Sequence, residues 1–164
     1  MADLIARVHW QTSQEAYTDA LPVSYIASFS EKDRKKLWSE FLGSHGPDKF
    51  LLVAETDVPP KIVGFLAAGP SRDVERNQDG EIYAMYVRAP YQRRRIGTML
   101  FSEAMRIFQR GDIRTVGAWV LENNSGAIAF YKHHRGIVAG KKVDVVGSDL
   151  RLNQLPYSFL IALV

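Results

Sequence analysis

Cysteine is absent from the 164 residues. That removes disulfides, thiolate metal sites and a cysteine nucleophile from consideration. It leaves the compartment open, because reducing and oxidising locations both tolerate such a chain. Long apolar runs are missing too: no stretch approaches the roughly 20 apolar residues of a membrane span. The opening MADLIARVHWQTSQEAY lacks the continuous apolar core of a signal peptide, so a cytoplasmic location is expected. Neither G-x-G-x-x-G nor G-x-x-x-x-G-K-[ST] occurs, which removes the dinucleotide and P-loop fingerprints. The excess of one charge over the other is small as well. A formal net charge of +3 is too small to argue for nucleic acid as a partner. There is no internal repeat, low-complexity tract or Pro/Ser-rich linker, and a single domain over residues 1–164 is the expectation.

What is present is an ordinary globular balance, 46% hydrophobic and 24% charged, in a chain long enough to bury a real core. Leu4 to Val8 suggests a short strand. Trp10, Tyr17, Leu21, Tyr25 and Ile26 then recur loosely at helical spacing, interrupted by Pro22. Ser30 with Asp33 forms a weak capping box for a helix through Leu37, Trp38, Phe41 and Leu42, ended by Gly43 and the Gly46–Pro47 turn. Phe50–Glu55 and Ile62–Ala68 read as an antiparallel strand pair around Pro59–Pro60. A further strand, Glu81–Val87, places Ile82, Ala84 and Tyr86 on one face and Glu81, Tyr83, Met85 and Val87 on the other. A helix over Gly97–Phe108 follows, with Glu103 and Arg106 outside, and then a strand over Val116–Leu121. Asn123 or Asn124 caps a helix over Ser125–His133, which Gly136 ends. Strands near Val138–Val145 and Pro156–Leu163 pair through a Gly147–Asp149 turn. This order calls for an α/β (α+β) fold, a mixed sheet with helices on it.

The stretch from Glu81 to Phe108 is the most informative. It runs strand, basic glycine-containing loop, helix. A helix N-terminus exposes unpaired N–H groups and partial positive charge. Gly97 lets an anion approach the backbone, and Arg93, Arg94 and Arg95 add charge-assisted donors. A pyrophosphate suits such a loop.

Tyr91-Gln92-Arg93-Arg94-Arg95-Ile96-Gly97 resembles the Q/R-x-x-G-x-G/A loop of the GNAT superfamily of acetyl-CoA-dependent N-acetyltransferases, here after a strand of Glu-Ile-Tyr-Ala-Met-Tyr-Val type. Trp119 to Tyr131 is similar to the second family signature, a strand leading to an Asn-headed helix that ends in Phe-Tyr. Trp10 to Trp38 is similar to the opening of many bacterial members. The resemblance implies a mostly antiparallel central sheet of about seven strands flanked by about four helices. Acetyl-CoA is implied as cosubstrate, and no metal. The main chain of Met85, Tyr86 and Val87 would pair with the pantetheine arm, the amides from Gln92 through Arg93, Arg94, Arg95, Ile96 and Gly97 to Thr98 would wrap the pyrophosphate, and Asn124 would touch the arm from its other side. Arg95 departs from the pattern, standing where the family usually has the first loop glycine. A positive φ there would cost an arginine roughly 1–2 kcal/mol.

The reaction implied is direct attack of a primary amine on the thioester in a ternary complex. An ammonium of pKa about 10.4 must first lose a proton. Glu81 is the candidate base, directly or through water; an exposed strand-end carboxylate is the equal alternative. Tyr131 lies near the thioester sulfur in the implied arrangement and serves as general acid, while the N–H of Val87 polarises the carbonyl. His9, His45, His133 and His134 make no metal set. Two other readings stand beside this one. An inactive CoA-binding regulatory or interaction module would keep the loop without turnover, and a nucleic-acid binder using Arg93–Arg95 is disfavoured by the small net charge. The acceptor, a small-molecule or protein amine, is not legible. Dimerisation through the last strands is compatible with the pattern, though no spacing calls for it.

Overall fold

A computed structural model describes residues 1–17, 21–44, 46, 48–147 and 149–161. His45, Pro47, Ser148 and Leu163, which figure in the expected turns and final strand, lie outside the described residues. The elements are α1 (Ala2–Tyr17), α2 (Val23–Ala27), α3 (Glu31–Gly43), β1 (Phe50–Thr56), β2 (Lys61–Pro70), β3 (Gly80–Val87), α4 (Ile96–Arg110), β4 (Thr115–Leu121), α5 (Ser125–His133), β5 (Ile137–Val138), β6 (Lys142–Val146) and β7 (Leu150–Leu160). The strands form one seven-stranded sheet in the order β1-β2-β3-β4-β7-β5, with β6 also paired to β7. The β1–β2, β4–β7, β5–β7 and β6–β7 pairs are antiparallel and β3–β4 is parallel, as a mixed sheet requires. Contacts divide the chain into two compact units, Met1–Ala68 with Ala84–Arg106, and Gly69–Tyr83 with Ile107–Val164.

In the first unit, the strand expected at Leu4–Val8 is instead the start of α1. Ile5, Ala6, Val8, His9, Thr12 and Ser13 are its buried residues, a stripe at three- and four-residue spacing that only a helix turns inward. The short apolar cluster alone mimics a strand; the polar but buried His9, Thr12 and Ser13 hide the longer period. Their polarity is absorbed locally, since the Thr12 and Ser13 hydroxyls each donate to the carbonyl four residues back at 2.7 Å. The α1 stripe packs with Trp38, Ile62, Phe65 and Ala67 as one core. The Ser30–Asp33 capping box is complete, with Asp33 N–H to Ser30 Oγ at 3.1 Å and Ser30 N–H to Asp33 Oδ2 at 2.9 Å. At Gly64 a Cβ would lie 2.9 Å from the Tyr86 carbonyl oxygen and 3.2 Å from Val87. Glycine therefore permits the approach of β2 to the end of β3.

In the second unit, β3 pairs with β4 through Gly80–Ile82 against Val116–Ala118. Asp79 secures this end, its Oδ2 accepting from the N–H groups of Arg114 and Thr115 and from the Thr115 hydroxyl. These bonds hold its carboxyl below the usual carboxylate range. The last strand begins at Leu150, six residues before the expected Pro156. Proline cannot donate to a ladder, and the partners explain its place: β6 pairs with β7 up to Gln154 and β5 from Tyr157 onward, so Pro156 falls where one edge changes partner. The same switch divides the expected Val138–Val145 strand into β5 and β6.

Candidate functional site

Each unit carries part of the machinery implied by the sequence. In the first, β3 ends at Val87, and the Arg88 N–H donates to the Val63 carbonyl at 2.9 Å. A single 3-10 turn over Ala89–Tyr91 contains Pro90. Gln92 closes this turn: its N–H donates to Ala89 O at 3.2 Å and its side-chain amide to Val87 O at 2.9 Å. Those donors of Gln92 are thus spent inside the loop. The next residues differ. Arg93 has φ 60° and Arg95 φ 63°, both left-handed, and the carbonyl of Arg95 accepts the first bond of α4, from Met99 N–H at 2.9 Å. Among the described residues, the N–H groups of Arg93, Arg94, Arg95, Ile96 and Gly97 find no hydrogen-bond acceptor. Unpaired donors of this kind at the start of a 15-residue helix are an anion site in waiting. Arg95 therefore does adopt the conformation that glycine would take without strain, and residues 92–95 are exposed. Arg94 lies over the Tyr91 ring, 5.6 Å from its centroid.

The Tyr86 side chain turns into the core, against His9 at 4.7 Å between ring centroids, so the main chain is what β3 offers a ligand here. His9 is buried, its Nδ1 accepting from Trp38 Nε1–H at 3.1 Å. Burial, helped by the charge of Arg34, depresses its pKa to about 3, so His9 is neutral and carries its proton on Nε2.

In the second unit Asn124 is the N-cap of α5, its Oδ1 accepting from Ala127 N–H at 3.0 Å. The helix places Tyr131 against Tyr157 and Phe159, at ring-centroid distances of 5.5 and 5.4 Å. Tyr131 is 6% exposed. The Tyr157 hydroxyl is buried and unpartnered among the described residues.

Glu81 is not an exposed strand end; it is 4% exposed. Its Oε2 accepts from Arg72 N–H at 2.9 Å and its Oε1 from the Arg72 guanidinium, with Nε at 3.2 Å. The same guanidinium lies 4.2 Å over the Tyr83 ring, and the Tyr83 hydroxyl donates to Pro70 O at 2.6 Å. Sequence reasoning missed Arg72 because it sits in a polar loop without a motif. Only the alternation that puts Glu81 and Tyr83 on one face hinted that a loop residue could bridge them.

The profile of the Acetyltransferase (GNAT) family matches residues 10–137, and the chain belongs to that family. It is an N-acetyltransferase of the GNAT class. It is 28% identical, over 97% of this chain and 88% of the other, to YuaI, an uncharacterised N-acetyltransferase of Bacillus subtilis (strain 168). The fold is similar to that of the PaiA N-acetyltransferase from Thermoplasma acidophilum, solved with coenzyme A (TM-score 0.69, 19% identity, 97% and 92% of the two chains). It is similar as well to the ribosomal-protein-S18-alanine N-acetyltransferase from Escherichia coli (TM-score 0.66, 20% identity, 99% and 90%). No helix among the described residues is long and apolar enough to cross a membrane.

Proposed function

We propose that the protein transfers an acetyl group from acetyl-CoA to a primary amine by direct attack in a ternary complex. The observation carrying this reading is the run of open amides from Arg93 to Gly97 leading into α4. Successive donors with left-handed residues among them converge on an anion, and a diphosphate carries enough acceptors to use them. Arg93, Arg94 and Arg95 supply charge, and Thr98 continues the cradle. The main chain of Met85 and Tyr86 would hold the arm that carries the thioester, and Val87 N–H would stabilise negative charge developing on its carbonyl oxygen. Asn124 has its side-chain N–H₂ to offer the arm, since only its Oδ1 is used in the cap.

The amine must reach the thioester neutral, and Glu81 is the group to draw off its proton through water. Arg72 shapes this role: its N–H and guanidinium occupy both carboxylate oxygens, so the acceptor has to loosen that pairing. Tyr131 donates a proton to the departing thiolate, an uphill transfer only by the gap between a phenol near 10 and a thiol near 8.5.

Steady-state kinetics test the assignment. Tyr131→Phe lowers kcat about 100-fold with little change in the acetyl-CoA KM, and initial-rate lines intersect rather than run parallel. Undiminished kcat removes Tyr131 from the chemistry; failure of CoA to bind in calorimetry removes the whole reading.

A further inference from the structure

The face of the second unit that carries Glu81 holds a cation with hydrogen-bond donors to spare. Arg76 lies in the loop between β2 and β3, its guanidinium 4.7 Å from the centroid of the Trp119 ring. Its Nη2 donates to Tyr157 O and to Ser158 Oγ, both at 3.1 Å. Among the described residues its Nε and Nη1 make no hydrogen bond and it has no ion-pair partner. Asp73 and Glu81 act on it only through their fields, and burial lowers its pKa. The donors it leaves over are open to an incoming anion, which would replace water there with charge-assisted hydrogen bonds.

Two of the carboxylates nearby are already matched to cations. Glu81 is held by Arg72, and Asp144 by Lys142 at 3.3 Å and by the Gln154 amide. Lys142 also approaches the Trp119 ring, 5.1 Å from its centroid. Trp119 is therefore contacted by two cations, and Asp73, the further acid within the field of Arg76, spends its Oδ1 on the Glu75 N–H. Register places these groups on one side of the sheet, because Glu81 pairs with Gly117 and Gly117 with Ser158, and pairing residues share a face.

We infer that the acceptor is a small amine bearing a carboxylate close to its amino group, of the α-amino-acid type, with Arg76 taking the carboxylate while the amine faces Glu81. This deepens the acetyl-transfer reading and rests on it. The placement supports a short acceptor: Gly117 pairs with Glu81, and a Cβ on Gly117 would lie 3.4 Å from Arg76 Nη1, so base and cation flank one backbone position. An ammonium and a carboxylate one carbon apart complement such a cluster; a polyamine or an aminoglycoside offers nothing to the spare donors of Arg76 and adds charge of the same sign as Arg72, Arg76 and Lys142.

The test is thiol release from acetyl-CoA with a set of amino acids, each beside its carboxamide and its decarboxylated amine, and with spermidine. Calorimetry of the same compounds runs on the CoA-loaded protein. The carboxylate form is expected to exceed its amide about 10-fold or more in kcat/KM, the contribution of one charge-assisted contact. Arg76→Gln should raise the amino-acid KM and collapse that ratio towards one. Equal or better turnover of amides, decarboxylated amines or spermidine overturns the inference, on the unmodified protein and whether or not the variant folds. Carboxylate-selective binding without any thiol release would sink acetyl transfer and leave the anion site standing. Absence of carboxylate-selective binding and turnover alike sinks the anion site.

Discussion

Acidification from pH 7 to pH 5 should destabilise this protein through His9. The folded-state pKa is near 3 against an ordinary 6.5. Because the folded value lies below the unfolded one, the unfolded chain takes up a proton first. Stability is complete above about pH 6.5 and is lost as pH falls towards 3, where the folded imidazole finally charges as well. Integrating the linkage relation, the loss between pH 7 and pH 5 is about 2 kcal/mol, and each further unit down to pH 3 adds roughly 1.4 kcal/mol. With a urea slope of roughly 1–3 kcal/mol per molar, the midpoint should move down by about 1 M between those two pH values. His9→Gln can still accept from Trp38 Nε1–H but cannot titrate, so its midpoint should move less by that amount. His134 also has a lowered pKa, from burial and the neighbouring His133, but both proteins retain it and it cancels in the comparison. If wild type and variant lose stability equally over this range, His9 is not the buried neutral group described.

Three substitutions probe the local geometry. Arg95→Gly removes the left-handed strain at φ 63° and gives back some unfolded-state entropy, for a net gain of about 0.5–1 kcal/mol and a melting temperature higher by roughly 1–4 °C; calorimetry showing a decrease would mean that arginine is comfortable there. Tyr157→Phe deletes a buried hydroxyl without a partner and should stabilise by about 1 kcal/mol, so a loss of stability would reveal a bond to that oxygen. Gly64→Ala drives a methyl against the Tyr86 carbonyl; a cost of about 1–3 kcal/mol in urea unfolding is expected, together with a higher acetyl-CoA KM, and an unchanged KM would separate this contact from cofactor binding.

The elements most legible in the sequence were those whose signals are local. Asn123 or Asn124 before Ser125–His133 and Ser30 with Asp33 declare themselves within a few residues, and the structure uses Asn124 and the Ser30–Asp33 box as caps; the strand over Glu81–Val87 is present as Gly80–Val87, though its burial does not alternate. The start of α1 was not legible because its buried face mixes apolar residues with His9, Thr12 and Ser13, whose burial depends on bonds the sequence does not display. The true length of β7 was hidden by Pro156, tolerated only because of a partner switch between distant segments. The loop was half legible. Its residue types suggested an anion, but the left-handed turns at two arginines run against the ordinary preference of the side chain, and composition could not announce them. Arg72 and Arg76 were out of reach, since their meaning comes from Glu81, Trp119 and Ser158, which the fold delivers to them.

The two positive φ angles at Arg93 and Arg95, with Arg94 between them on the other side of zero, have a consequence for how this protein can vary. The curl of the loop is written in the count and handedness of its peptide units, and side-chain identity only decorates it. Exchanging any one arginine should therefore trim the local positive charge while the grip of the main chain survives. Adding or deleting a single residue would put the alternation out of phase and aim neighbouring amides in different directions, so drift in this segment is free in chemistry and frozen in length.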